Sequence, residues 1–411
     1  MMPQTKKSRT PKPTAGGEKS QTKPRPKRPT RRAAKKPTAR KSAAERLQRK
    51  SARREQRRAY RSAALPTGTA QAETTQAQLE ALTQKLAALQ QAAALTDIHD
   101  DLADVDGVLA TLPADIEALR TRGYVFRSYL ERKVEVLSEQ WAEARERVLQ
   151  EIERRSRELA RDMDQAERAL QTAQTGRAAQ ISQAESAIQM LESKVSAAQD
   201  SIEAMFDALD DNVTQTQAQV EAIEWALDQA DQASFDFYPA EDLVAACRAQ
   251  LLETKKEGPE GTLFLTDERL VFERKEEVAT KKVLFIATEK ETIQEPVFAV
   301  PIGQIEEVKA SQAGFLGHKE MLEIGFSREA ERSQARLRLR GADNEEWAGL
   351  IGRVRSGNIA GERTRPKEET AVEAAREAPT KCPTCGAVLT TPVVKGMREI
   401  TCEYCGTVIR L

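Results

Sequence analysis

The chain has 411 residues, 64 Lys+Arg against 64 Asp+Glu, 39% hydrophobic and only 4% aromatic content, a composition too polar for one large core and suited to long helices, solvated tails and small modules. The neutrality is a cancellation: residues 1–65 hold 23 Lys/Arg and three acids (Glu18, Glu45, Glu55), a net +20, which leaves −20 for the other 346 residues. A single large metabolic enzyme is disfavoured, and a non-enzymatic protein is expected. No run approaches the roughly 18–20 apolar residues of a membrane span. The start MMPQTKKSRT has the charges of a signal peptide without its apolar segment, so the expected location is cytoplasmic.

Residues 1–65 read as a disordered basic tail: they are rich in proline, with clusters such as KPRPKRPTRRAAKK and almost no apolar side chains to offset the entropy of ordering. The stretch from Ser42 to Leu65 has helix-compatible composition, but Leu47, Tyr60 and Leu65 make a thin apolar face. Such a segment can neutralise phosphates of DNA or RNA. The same charges suit an anionic membrane surface, and a third use is intramolecular, the tail lying on the acidic half of the coiled coil (178–235) and serving only solubility.

Residues 70–235 read as a long α-helical coiled coil. Leu79, Leu82, Leu86, Leu89 and Ala93 mark a first stripe, and an interruption is expected near 107–113, at Gly107 and Pro113. The stripe then runs from Leu130 through Val134, Leu137, Trp141 and Val148, and again from Ile181 to Leu209, with phase slips near Ile152 and Val213. Gly176 marks either a hairpin between two arms or a weak point in one rod. A hairpin would set Trp141 near Asp211; it would also lay residues 120–177 (net +2) beside residues 178–235, where 11 acids face the single base Lys194. A rod would bury its stripe in a homo-oligomer.

Residues 240–355 change character. Short β-rich runs at 263–265, 269–272, 282–286, 297–300, 305–308, 322–326 and 335–340 predict an antiparallel sandwich or barrel. Asp343 with Glu346 predicts a capping box for a closing helix whose inner face is Trp347, Leu350, Ile351 and Val354. Gly261–Phe272 (GTLFLTDERLVF), Val300–Val308 (VPIGQIEEV) and the terminal Trp-containing helix resemble a GRAM or pleckstrin-homology-like (PH-like) domain. That resemblance implies a docking module. Lys255-Lys256, Lys281-Lys282 and Arg336, Arg338 and Arg340 are the basic candidates for a headgroup patch with Phe315-Leu316 as its tip, against the interspersed Glu257, Glu273, Glu276, Glu277, Glu306 and Glu307. A mixed solvated surface is the expectation.

Residues 356–379 read as a polar linker. In 380–411, Cys382-Pro-Thr-Cys385-Gly and Cys402-Glu-Tyr-Cys405-Gly supply two knuckles, each with two thiolates and a glycine for the turn. Four soft ligands predict one structural Zn2+ in a closed tetrahedral site, and the segment resembles a zinc ribbon of the kind found in transcription and RNA-processing proteins. Its four bases (Lys381, Lys395, Arg398, Arg410), two acids (Glu399, Glu403) and a −2 zinc–thiolate centre sum to about zero, so it is not an obvious phosphate binder. Cys247 reads as a buried core thiol. His99, in the acidic run DIHDDLADVD, lacks the glycine and final glutamate of a calcium loop, and His318 has no recognisable partner. No phosphate-loop, nucleophile-elbow or metalloprotease motif occurs.

The whole is expected to be a multidomain α+β scaffold or adaptor with unspecified protein partners and a polyanion-binding tail, nucleic acid before membrane. A helical hairpin with a basic amino-terminal segment also resembles, in architecture, phage-shock-type proteins. That resemblance implies the alternative, a peripheral membrane-surface stress protein binding anionic lipids.

Overall fold

The computed structural model describes residues 41–62, 73–254, 257–283, 286–314, 319–367, 379–390, 393–394, 397 and 399–410. The first element is a helix, α1 (Ala43–Ser62). Ser42 and Glu45 start it reciprocally: the Ser42 N–H donates to Glu45 Oε2 at 2.7 Å, and Ser42 Oγ accepts from the Glu45 N–H at 3.3 Å, a capping box. This corrects the reading of residues 1–65 as disordered throughout. Residues 1–40, with most of the tail's charge, lie outside the described residues.

Helices α2 (Glu73–Ala93) and α3 (Thr96–Thr121) are joined at Leu95, a buried residue with a left-handed φ of 53°. The break predicted at Gly107 and Pro113 does not occur. Val105, Val108, Leu109, Leu112 and Ile116 keep helical spacing across both positions and are buried, while Pro113 is exposed. The packing of this stripe outweighs the hydrogen bond that proline removes.

Helix α4 (Leu130–Ala173) is roughly 66 Å long at 1.5 Å per residue. The chain turns at Gly176, whose φ of +76° needs glycine, and returns as α5 (Ala178–Ala204) and, after a break at Met205-Phe206, α6 (Asp207–Asp231). The arms are antiparallel: Lys194 Nζ lies 2.6 Å from Asp162, and Trp141 packs edge-on against Phe206 at 6.1 Å. The ring partner of Trp141 is thus Phe206, five residues before the Asp211 that a symmetric hairpin about Gly176 would set opposite it.

A third strand of helix completes the packing, with α2 against α4 and α5, and α3 against α4 and α6. The expected two-arm coil is thus a three-helix bundle. Ile181, Ile188, Leu191, Val195 and Ile202, each at most 7% exposed, are buried within one chain, so this stripe does not need a second chain to cover it.

The β-domain has seven antiparallel strands: β1 (Leu243–Leu251), β2 (Glu260–Thr266), β3 (Arg269–Val283), β4 (Ile286–Pro301), β5 (Ile305–Ala313), β6 (Lys319–Phe326) and β7 (Gln334–Arg340). Their order is β4-β3-β2-β1-β7-β6-β5, so β1 pairs with both β2 and β7. Seven is the number the sequence predicts, but the set differs. LVAACRAQL forms β1, whereas the expected run at 282–286 is divided between the end of β3 (Lys282-Val283) and the start of β4 (Ile286). Phe264, Phe272, Leu322 and Leu337 are fully buried. Helix α7 (Asn344–Arg355) packs on β5 and β6, and the Asp343 carboxylate accepts from the Glu346 N–H at 2.7 Å.

The bundle and the β-domain share a continuous core. Their junction is held by a buried ion pair, in which Arg269 donates to Glu241 at 2.7 and 3.0 Å while Thr266 Oγ1 donates to the same carboxylate at 2.7 Å. Residues 356–367, read as linker, fold back instead. Ile359 is buried, the Thr364 N–H donates to Val125 O at 2.7 Å, and Arg363 pairs with Asp242 and Asp267 while its guanidinium lies over Phe126. At the carboxyl end β8 (Glu399–Thr401) and β9 (Val408–Arg410) form a two-stranded ladder. Among the described residues, no helix is long and apolar enough to cross a membrane.

Candidate metal centre and charged helix groove

Cys382, Cys385, Cys402 and Cys405 converge, with their sulfurs all within 4.8 Å of one another. The Sγ–Sγ separation is 3.6 Å for Cys382 and Cys405 and 3.7 Å for Cys385 and Cys402. Four sulfurs about 2.3 Å from a tetrahedral ion sit about 3.8 Å apart, so the donor set and its spacing fit a soft dication. The two knuckles repeat one geometry. The Gly386 N–H donates to Cys382 O and the Gly406 N–H to Cys402 O, each at 2.8 Å, with glycine φ values of +74° and +70°. A residue with a Cβ in either place would be strained.

The sulfurs shift one another's pKa in opposite directions. The Thr407 hydroxyl and N–H pull the Cys405 thiol down to about 6. At Cys385 the pull of the Ala387 amide is outweighed by Cys405 and the other sulfurs, which push its thiol up to about 12. A dication held by these residues would stabilise all four thiolates together. Cys382 and Cys402 are buried, Cys385 and Cys405 exposed, so the cluster lies at the module's surface.

The second site matches, for residues 41–54, the reading that the tail lies on the acidic half of the helical region, and it adds an α3 wall which that reading did not include. Helix α1 lies in a groove walled by carboxylates of α3 and α6. Lys41 and Arg49 reach Asp104, each at 2.8 Å, Arg49 also reaches Asp100, and Arg53 pairs with Asp101. On the other wall Arg46 pairs with Asp210, Lys50 reaches Asp207, Asp210 and Asp211 at 3.0, 3.1 and 2.9 Å, and Arg54 reaches Asp207. The backbone is gripped as well: Gln217 Nε2 donates to Lys41 O at 2.9 Å, and the Ala43 N–H donates to Glu221 at 3.3 Å.

Most of these pairs are part-exposed and individually worth little. Arg46 and Asp210 are each 8% exposed and form the desolvated centre of the array. Burial pulls the Lys50 amine down, but Asp211, Asp210 and Asp207 outweigh it and hold its pKa above the ordinary lysine value. The acidic run at 97–106, read as a solvated helix end with a weak hint of cation binding, is thus largely occupied by arginine and lysine. His99 is exposed within it.

The remaining sequence candidates are dispersed. Cys247 is buried in β1 and its thiol is pushed well up by burial, as a core thiol requires. Arg336 pairs with Glu323 and Arg340 with Glu260, so two bases of the suggested headgroup patch already have carboxylate partners. His318, Lys255-Lys256 and the Phe315-Leu316 tip lie outside the described residues, as do the side chains of Lys281 and Lys282.

No family model matches the sequence, and no curated protein matches it. Solved structures similar to the chain include the N-terminal PH domain of Vps36, at 15% identity over 29% of this chain and 82% of that chain, with a TM-score of 0.20. Others are the DH/PH domains of p115-RhoGEF (12% identity, 68% of this chain and 94% of that chain, TM-score 0.18) and the PDZ-RhoGEF DH/PH domains in complex with GTP-γ-S-activated RhoA (11%, 71% and 96%, 0.21). At such TM-scores the likenesses carry no argument, and the description of the β-domain rests on its own strand order and register.

Proposed function

We propose that the protein is a non-enzymatic adaptor. A helical bundle carries a PH-like β-domain and a zinc ribbon as protein-docking modules, and its basic amino-terminal segment binds polyanions, nucleic acid before lipid. The observation that carries the polyanion reading is the groove: six aspartates hold six bases of residues 41–54, an array of carboxylates occupying the place a phosphate backbone would take. Docking of α1 and binding of an external polyanion then compete for the same guanidinium and ammonium groups. The docking role of the ribbon is supported by Val388, Tyr404 and Val408, which are 59%, 70% and 53% exposed on a module of this small size.

Competition makes apparent affinity depend on the undocked fraction of α1. In the full chain, replacing Asp207, Asp210 and Asp211 together by Asn removes the α6 wall's charge while keeping its shape. Affinity for fluorescent mixed-sequence single-stranded DNA or RNA should then rise by about tenfold, equivalent to ~1.4 kcal/mol of lost docking. Binding of both proteins should weaken steeply with salt. Equal affinity of variant and parent, or a salt-independent isotherm, removes this reading. Binding confined to vesicles containing anionic lipid replaces it with the membrane-surface alternative.

A further inference from the structure

Between the carboxyl half of α6, the outer face of β1 and the first turns of α7 lies a cavity of about 300 Å³, at the lower end of small-molecule sites. Its walls include Trp225, Trp347, Arg127, Arg248, Arg340 and Glu346. Three guanidinium groups and one carboxylate leave the lining at +2. Cys247 adds no charge, because burial keeps its thiol protonated.

One feature of this wall would be relieved by an anionic occupant. Arg248 and Arg340 stand directly opposite each other on β1 and β7, and like charges facing across an antiparallel pair are destabilising. Arg340 has Glu260 as a partner. Arg248 has no carboxylate partner among the described residues, and its guanidinium lies over the Trp225 ring at 5.2 Å. Arg127, with a left-handed φ of 55°, is held in a conformation that non-glycine residues avoid, and its side chain is 14% exposed where it meets Glu346 at 3.2 Å. The β1 side is fixed by a register shift between Leu243 and Ala245, where Tyr124 Oη donates to Val244 O at 3.1 Å.

We infer that this cavity binds a small amphiphilic anion, with a carboxylate or phosphate head between Arg248 and Arg340 and an apolar body against Trp225 and Trp347. The head relieves the arginine–arginine repulsion with charge-assisted hydrogen bonds. The indoles supply the apolar wall.

The test uses the full chain and the fluorescent anion 1-anilinonaphthalene-8-sulfonate, whose sulfonate stands in for the head. Saturable one-to-one binding is expected, with quenching of tryptophan emission, since two of the chain's three tryptophans line the cavity. Arg248→Gln, at an exposed position that leaves the fold intact, should weaken binding by about tenfold, the loss of one charge-assisted hydrogen bond. The uncharged N-phenyl-1-naphthylamine should bind weaker than the sulfonate by a similar factor. Octanoate and phenyl phosphate, as competing displacers, distinguish a carboxylate from a phosphate ligand. Non-saturable binding, equal affinity for Arg248→Gln, equal affinity of the uncharged probe, or displacement by neither anion overturns the proposal.

Discussion

Removing the metal proposed for the four cysteines should unfold residues 379–410 and leave the bundle and β-domain folded. Among the described residues, the buried cluster of this module consists of Cys382, Cys402 and Ile409, with Leu389 packed against it, and Ile400 is the other buried aliphatic residue. So small a core cannot offset the ordering of some thirty residues, whereas apparent zinc-binding free energies of about 10–16 kcal/mol in comparable modules can. The full chain should contain one zinc ion, and its amide spectrum should lose the dispersed signals of this segment in strong chelator and recover them when zinc returns. Cys402→Ser, which removes a buried ligand, should give the same spectrum without chelator. Helical circular dichroism should be almost unchanged in both cases. A chain that purified free of metal, with the segment's signals unmoved by chelator, would show that the knuckles fold without an ion.

What the sequence revealed depended on whether the signal was local. Asp343 does cap α7 through the Glu346 N–H, although the Glu346 carboxylate pairs with Arg127 instead of closing the box, and the knuckle glycines sit where the turns need positive φ. The stripe from Ile181 to Ile202 was equally legible as a buried face, but periodicity does not name the partner helix. Here two helices of the same chain cover it. Strand β1 was missed because LVAACRAQL has three alanines and a cysteine where β-branched residues would advertise a strand. Its place is set by pairing with β2 and β7, which is non-local.

Helix α1 shows the same limit in electrostatic form. Its apolar face is thin, with Leu47 53% exposed, so hydrophobic patterning gave no reason to order it. The net charges of +20 and −20 in the two parts of the chain made attraction foreseeable. Which bases meet which aspartates follows only from the bundle, because α3 and α6 bring residues 97–104 and 207–211 together across more than a hundred positions of sequence. The charge contrast between the two arms of the expected hairpin is similarly redistributed: α1, rather than α4, supplies the bases for Asp207, Asp210 and Asp211.

Arg269→Ala should destabilise the β-domain by about 3–5 kcal/mol, because it strips the partner from a carboxylate that has no access to water. Glu241 is 1% exposed and Arg269 7%, and the guanidinium makes a two-point contact with the carboxylate at 2.7 and 3.0 Å. It also donates to Asp236 O at 2.7 Å and lies 4.0 Å from the centre of the Tyr238 ring, so one side chain ties the segment leaving α6 to the β2–β3 turn. Lysine should rescue poorly, since a point charge cannot reproduce both the fork and the stacked plane. The cost lies in the orphaned charge rather than in the pair itself. Replacing both partners, as Glu241→Gln with Arg269→Met, should therefore recover much of the loss, and urea unfolding followed by tryptophan fluorescence measures each step. A single-variant loss below about 1 kcal/mol, the range of a solvent-exposed pair, would mean that water reaches Glu241 and that the junction between bundle and sheet is held by apolar packing alone.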